Sequence, residues 1–226
     1  MCIYMNSANE ERGRIMKKIL FFSLLLLGLI FISSNFNNVL FAEDGWMDED
    51  WEISLYEFPV YTDVSSSDNH FIPSGWMGDY SDVSLNENWR ENPHSGETCI
   101  KIVYSAQATQ GNRWAGIYWQ NPANNWGTID GGFDLSGATK LTFWVKGEKG
   151  GEKAEFKVGG ITGKYADSLQ PPVSSKVITL TNEWTPYTID LKDKDLSYIS
   201  GGFCWVTSMR SNPEGCTLYI DDIKYE

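Results

Sequence analysis

The stretch Lys140-Leu-Thr-Phe-Trp-Val-Lys-Gly147 has an apolar side chain at every second position. In an extended strand, Leu141, Phe143 and Val145 therefore share one face, because successive side chains point to opposite sides of a sheet. Alternation of this kind predicts a β-strand that buries one face. We expect these three side chains to lie in a hydrophobic core.

The same period of two recurs along the chain, and clusters of Gly, Asn, Asp and Pro separate the runs. The strand-like runs are 98–105, 114–120, 140–147, 154–159, 176–180, 184–191, 202–208 and 217–225. Eight short strands with turn-rich connections and no amphipathic helical pattern predict an all-β fold. The expected architecture is an antiparallel jelly-roll β-sandwich.

The N-terminal part of the chain has a different composition. Residues 19–32 are almost entirely apolar and follow Lys17 and Lys18, and this tract is short for a membrane-spanning helix. It is typical of a signal peptide. We expect residues 1–42 to be a signal peptide with an upstream extension, and an uncleaved membrane anchor is the alternative.

The rest of the chain is strongly acidic. The full sequence has a net charge of −12, and removing residues 1–42 leaves 14 basic against 28 acidic side chains. Residues 43–50 are interpreted as an acidic linker or arm, and residues 51–226 as one domain. Such a charge disfavours nucleic acid as a partner. The protein is expected to be secreted or held at the cell surface, with neutral ligands or cations as its easier partners.

Aromatic residues are concentrated between residues 111 and 127, which read GNRWAGIYWQNPANNWG. Flat rings can lie against the C–H face of a pyranose, and Trp and Tyr add a polar group. Trp119 shares a strand face with apolar residues and is predicted to be core. Trp114, Tyr118 and Trp126 are the candidates for ligand contact, although jelly-roll cores also use such rings.

Planar amides accompany these rings. Gln120, Asn124 and Asn125 are candidates for hydrogen bonds to vicinal hydroxyls, because an amide offers both donors and an acceptor. A second aromatic cluster at 71–80 (FIPSGWMGDY) combines loop signals with Trp76. It either lines the rim of a site or, as we prefer, forms a loop that closes one open end of the sandwich.

Three stretches together carry a family resemblance: WAGIYWQNPANNWG at 114–127, GGFDLSGATKLTFWVKGEKGGEKAEFKVGG at 131–160, and the closing TLYIDDIKYE at 217–226. From about Glu57 onward the chain resembles carbohydrate-binding modules of the galactose-binding-domain-like β-sandwich superfamily. The resemblance implies a noncatalytic protein that binds a polysaccharide or oligosaccharide. It also implies a companion glycoside hydrolase, since such modules commonly accompany a catalytic domain.

The resemblance further implies a structural calcium ion. In the resembling modules an aspartate of the final strand is one ligand, and this position corresponds to Asp221, or to its neighbour Asp222. Glu57, Asp63 and Asp79 are the acids available as partners, and we name Asp63 and Asp79 with Asp221 as the expected site. Solvated carboxylates at a strand end are the alternative.

Cysteine spacing suggests a disulfide. If 202–208 and 217–225 formed a hairpin, Cys204 and Cys216 would approach each other, and an exported protein would permit the bond. The sequence therefore predicts a Cys204–Cys216 disulfide, with Cys99 as a buried free thiol.

Two alternatives to a binding module remain open, a glycan-active enzyme and a protein-interaction domain. A glycosidase needs two carboxylates about 5–10 Å apart, but the acidic run 48–52 lies in the arm. A polysaccharide lyase could be built on Arg113 with His70 or His94, although their spacing does not favour it. An extracellular protein-interaction sandwich is the third class. A secreted, noncatalytic protein that stacks a neutral glycan on exposed rings is the preferred interpretation.

Overall fold

The computed structural model describes residues 57–226. These belong to one compact unit that spans Ile53–Glu226. The expected signal peptide at 1–42 and the acidic arm at 43–50 lie outside the described residues. Within the described part, no helix is long and apolar enough to span a membrane.

Eleven β-strands and a single short 3-10 turn make up the regular structure of this part of the chain. The strands are β1 (Phe58–Tyr61), β2 (Ile72–Gly78), β3 (Val83–Trp89), β4 (Cys99–Tyr104), β5 (Trp114–Gln120), β6 (Lys140–Gly147), β7 (Lys153–Val158), β8 (Val173–Thr179), β9 (Thr185–Asp190), β10 (Gly201–Ser208) and β11 (Cys216–Tyr225).

The strands form two antiparallel sheets. Sheet A has the order β3-β4-β11-β6-β9, with β1 paired to the C-terminal end of β11. Sheet B has the order β2-β5-β10-β7-β8. Buried side chains from both sheets form one continuous hydrophobic cluster between them. The predicted all-β sandwich is confirmed.

Aromatic rings from the two sheets meet in the core. Phe143 of β6 lies 4.6 Å from Phe156 of β7 and 5.4 Å from Phe203 of β10, measured between ring centroids. Trp119 is fully buried and packs at 5.3 Å against Phe203. Such pairs add about 1 kcal/mol each to the gain from burial alone. The predicted core positions Leu141, Phe143 and Val145 are buried as expected.

The cluster at 71–80 does not form a closing loop. It contains β2, which lies at the edge of sheet B and pairs with β5. Pro73 and Gly75 gave the loop signal, but an edge strand tolerates both residues because one of its sides needs no hydrogen-bonded partner. The register shifts between these two positions. The preferred loop interpretation was therefore wrong.

The predicted disulfide is also wrong. Cys204 lies in β10 of sheet B opposite Tyr118, whereas Cys216 begins β11 of sheet A opposite Tyr104. The chain crosses from one sheet to the other between these strands and makes no hairpin there. All three cysteines in the described range are free thiols. Cys99 is fully buried, and burial raises its pKa to about 12.

Candidate functional site

The outer face of sheet B carries a groove. Cross-strand register aligns Met77, Gly116 and Val206 in one row across β2, β5 and β10. The larger of its two cavities, here called the main cavity, has a volume of about 350 Å³ and is lined by Met77, Trp114, Tyr118, Lys157, Pro172, Cys204 and Val206. A smaller cavity of about 140 Å³ shares Trp114 and Val206 with it. We call the two together the sheet-B groove. A cavity of about 640 Å³ lies elsewhere, between residues 103–105, 148–152 and 211–217.

Gly116 keeps the floor of the groove low. A Cβ atom at this position would lie 2.8 Å from the carbonyl oxygen of Trp205 and 2.9 Å from Cε of Met77. Neither distance is compatible with a side chain, since a backbone atom and a packed methyl would both have to move. Glycine at this point lets the side chains of Met77 and Val206 close over β5, so that these two side chains cover the floor of the groove.

Trp114 lines the groove and Trp126 packs on its wall residue Tyr118, and both indoles keep part of their surface in solvent. Trp114 is 37% exposed and Trp126 is 42% exposed. The Trp126 ring stands nearly perpendicular to that of Tyr118, with centroids 6.0 Å apart at 84°. Trp114 and Tyr118 are four residues apart on β5, a separation of roughly 13 Å along the strand. The three rings therefore extend over a distance longer than one pyranose.

Tyr118 forms part of the groove wall. Its side chain is only 8% exposed, and its hydroxyl donates a hydrogen bond of 2.9 Å to the carbonyl oxygen of Gly159. Burial raises the pKa of this phenol far above its usual value, so the hydroxyl stays neutral. The ring offers an edge and supports Trp126, and it leaves no open face for stacking.

The amide of Asn125 is used inside the protein. Its Oδ1 accepts hydrogen bonds of 3.1 Å from the backbone N–H groups of Gly127, Thr128 and Ile129. Its Nδ2 donates to the carbonyl oxygen of Ile129 at 2.8 Å. Because the residue is fully buried, it cannot reach a sugar hydroxyl. It instead fixes the loop that carries Trp126.

Gln120 has the same kind of role. Its Nε2 donates to the carbonyl oxygen of Asn125 at 2.9 Å, and its Oε1 accepts from the Ser74 hydroxyl at 3.2 Å. The side chain is fully buried. The expectation of direct sugar contact for Gln120 and Asn125 is thus corrected. Asn124 alone of the three predicted amides is exposed, with its backbone N–H bound to Ser74.

A buried carboxylate fixes the loop before Trp114. Asp79 accepts backbone hydrogen bonds from Gln110 at 3.0 Å, Asn112 at 2.8 Å and Arg113 at 2.5 Å. Burial opposes ionisation of Asp79, but these donors outweigh it and lower its pKa. The charged carboxylate thereby holds the chain immediately ahead of the exposed indole.

The three carboxylates named for calcium do not converge. Asp63 accepts the backbone N–H groups of residues 97 and 98, and Asp221 accepts those of residues 94 and 95. Both thus fix one loop, whereas Asp79 fixes a different one. Calcium needs six to eight oxygen ligands, and backbone N–H donors already occupy at least one oxygen of each carboxylate. Across residues 57–226, no group of three or more acidic, His or Cys side chains is placed to hold a metal ion.

The groove presents little net charge. Lys157 is the charged residue that lines the main cavity, and its ammonium lies 3.4 Å from a carboxylate oxygen of Glu155. Glu155 also accepts a 2.6 Å hydrogen bond from the Ser174 hydroxyl. The positive charge is therefore compensated within the wall of the groove.

A family model for carbohydrate binding domain 30 matches residues 62–226. The chain belongs to this family. Two crystal structures of family 30 modules have a similar fold, both at 16% sequence identity. The first has a TM-score of 0.51, and the alignment covers 99% of its length. The second has a TM-score of 0.49, and the alignment covers 87% of its length. Both alignments cover 76% of this chain. A family 29 module is similar at a TM-score of 0.44 and 15% identity, with 75% of this chain and 87% of that chain covered.

These identities are low enough that the structural likeness shows the fold alone. No curated protein sequence matches the chain. Membership in carbohydrate-binding family 30 rests on the family model and assigns a carbohydrate-binding role, and modules of this kind are typically noncatalytic.

The sequence analysis did not identify several residues that line the sheet-B groove. Met77, Lys157, Cys204 and Val206 come from strands β2, β7 and β10, far apart in the chain. Only strand pairing brings them beside Trp114. The alternating pattern of β10 could have placed Cys204 and Val206 on one face, but the pattern does not say which strand lies next to it.

Proposed function

We propose that this family 30 module binds a neutral polysaccharide or oligosaccharide in the sheet-B groove. Trp114 and Trp126 provide the stacking surfaces, Tyr118 supports the second of them, and Asn124 contributes hydrogen bonds at the rim. The observation that carries the proposal is the pair of partly exposed indoles beside one open groove.

Charge supports a neutral ligand. The ammonium of Lys157 is paired with Glu155, so the main cavity offers no free cation to an anionic glycan. Met77, Gly116 and Val206 form an apolar floor, which suits the C–H face of a pyranose. Backbone and amide groups at the rim then fix its orientation.

The proposed role is binding without chemistry. Among the residues that line the two cavities of the groove, Glu155 is the one carboxylate, whereas a glycosidase needs two carboxylates on opposite sides of the scissile bond. We further propose export through residues 1–42 and action beside a separate glycoside hydrolase. In that arrangement the module would keep the hydrolase near its polysaccharide substrate.

Affinity electrophoresis in gels that contain soluble neutral polysaccharides tests the proposal. Wild-type protein should be retarded by at least one of a panel of β-glucan, xylan and mannan, and Trp126→Ala should lose most of that retardation. Trp144→Ala is the matched control, since Trp144 is a half-buried indole on sheet A that stacks on His94. Equal retardation of both variants would refute the site, and indifference of the wild type to every neutral glycan would refute the function.

A further inference from the structure

The outer face of sheet A carries a second row of aromatic and charged side chains. Tyr219 of β11 lies between Lys101 of β4 and Lys146 of β6 in the strand register. The Lys101 ammonium lies 3.7 Å from the centroid of the Trp89 ring, and that of Lys146 lies 5.2 Å from the Trp184 ring. We call these five residues the lysine–tryptophan row.

The row lies on the side of the sheet that faces away from the core. Ile100, Val145 and Ile220, the strand neighbours of its members, are fully buried in the sandwich. Both lysines and both tryptophans are half-buried, and Tyr219 is buried beneath them. A sheet face in water is normally polar, so tryptophans at both ends of the row are unexpected.

The rest of this aromatic surface is covered by the protein itself. His94 stacks on Trp144 at 3.8 Å and 17°, and its Nδ1 lies 2.6 Å from a carboxylate oxygen of Asp222. The loop from residue 90 to 98 therefore occupies the neighbouring part of the face. The lysine–tryptophan row begins where that coverage ends.

The two ammonium groups of the row lack an anionic partner. Among the described residues, no carboxylate lies within 4.0 Å of the Nζ atom of Lys101 or Lys146, although other lysines of the chain form such pairs. The nearby Glu148 accepts the hydroxyl of Tyr219. An aromatic ring attracts an ammonium but does not neutralise it. Both ammonium groups are thus held by aromatic rings and make no direct ion pair, although Glu148 and Glu91 lie near Tyr219.

The separation of these charges suits an acidic glycan. Lys101 and Lys146 lie on strands two apart, which places their backbones roughly 10 Å from each other. This is comparable with the length of a disaccharide unit. Two carboxylates on a sugar chain laid across β11 would meet the two ammonium groups, while the flanking indoles offer apolar edges to the pyranose rings.

We propose that the lysine–tryptophan row is a second carbohydrate site, specific for glycans that contain uronic acids. It rests on the carbohydrate-binding role of the family and is separate from the sheet-B groove. The module would then bind a neutral and an acidic polysaccharide on opposite faces, and so could connect two components of a mixed glycan matrix.

Titration calorimetry with oligogalacturonides and with alginate oligosaccharides tests this site. The double variant Lys101→Met/Lys146→Met keeps the aliphatic stems and removes both charges. It should weaken binding by up to about thirtyfold, since each of the two exposed ion pairs contributes up to about 1 kcal/mol. Lys192→Met/Lys194→Met, at exposed positions in the turn after β9, changes the net charge equally and should leave the affinity unchanged.

Further variants and a salt titration distinguish binding at the second site from binding in the sheet-B groove. Trp114→Ala should keep uronate binding, and raised salt should weaken it through screening. Lys146→Met alone, with several-fold weaker binding, covers the case in which the double variant fails to fold. No uronate binding by the wild type, equal losses in the two double variants, or loss through Trp114→Ala would each overturn the second site. Neutral glycans titrated in parallel reveal any failure of the groove independently.

Discussion

Replacing Trp114 by alanine should weaken the binding of a neutral glycan without unfolding the module. The ring is 37% exposed, which for an indole of about 250 Å² corresponds to roughly 90 Å² available to a sugar. At about 25 cal/mol per Å² this area is worth about 2 kcal/mol. The dissociation constant should therefore rise by up to roughly 30-fold.

The buried part of the same ring sets the cost in stability. A fully buried Trp→Ala change costs about 3–5 kcal/mol, so a residue that is partly in solvent should cost about 2 kcal/mol. Trp114→Phe keeps a flat ring and should recover most of the affinity. Titration calorimetry measures the binding, and urea unfolding measures the stability.

Two results would refute this role of Trp114. Unchanged affinity in Trp114→Ala would show that the groove does not use this ring. Destabilisation as large as that of a core tryptophan, with loss of all binding, would show that Trp114 acts as a core residue. Trp114→Ala that is as stable as Trp114→Phe but binds far more weakly would support stacking.

Three further predictions follow from the buried polar groups. Asn125→Ala should lower the free energy of unfolding by about 2 kcal/mol, because it strands buried N–H groups, and should also weaken glycan binding. Asn182→Ala, at an exposed position ahead of β9, is the stability control, and equal melting curves of the two variants would contradict the loop role. Burial, together with the charge of Asp222, raises the pKa of Asp221 from 3.8 to about 7. The unfolded state therefore binds fewer protons between these values, and stability should fall as the pH rises through this window. Asp221→Asn should flatten that slope in urea titrations, and an unchanged slope would refute the assignment. Chelation with EDTA should leave the melting temperature unchanged, whereas a fall reversed by calcium would show an ion that these carboxylates do hold.

Local patterns in the sequence were sufficient to locate strands such as β6, but β3 alternates in the same way and was not predicted. β6 begins and ends at the predicted residues because its buried and outward positions alternate without a break, and β5 does so although six of its seven residues are buried. β2 was missed because Pro73 and Gly75 are loop signals in most contexts, and only its position at the edge of sheet B makes them acceptable.

The candidate site shows a different limit. Residue type identified Trp114 and Trp126 as rings that could meet a ligand, and both are partly exposed. Residue type could not distinguish an amide that faces solvent from one that organises a loop, so Asn125 was assigned to the ligand. The predicted disulfide failed for a related reason, because neighbours in sequence need not be neighbours in a sandwich.

The most direct test of the central claim is an NMR titration of the labelled module with a neutral oligosaccharide that it binds. The account predicts that the indole N–H signals of Trp114 and Trp126, and the backbone amide of Gly116, shift together with saturation. The indole signals of the buried Trp119 and Trp205 should stay in place. Shifts confined to sheet A, with the groove residues unaffected, would contradict the account.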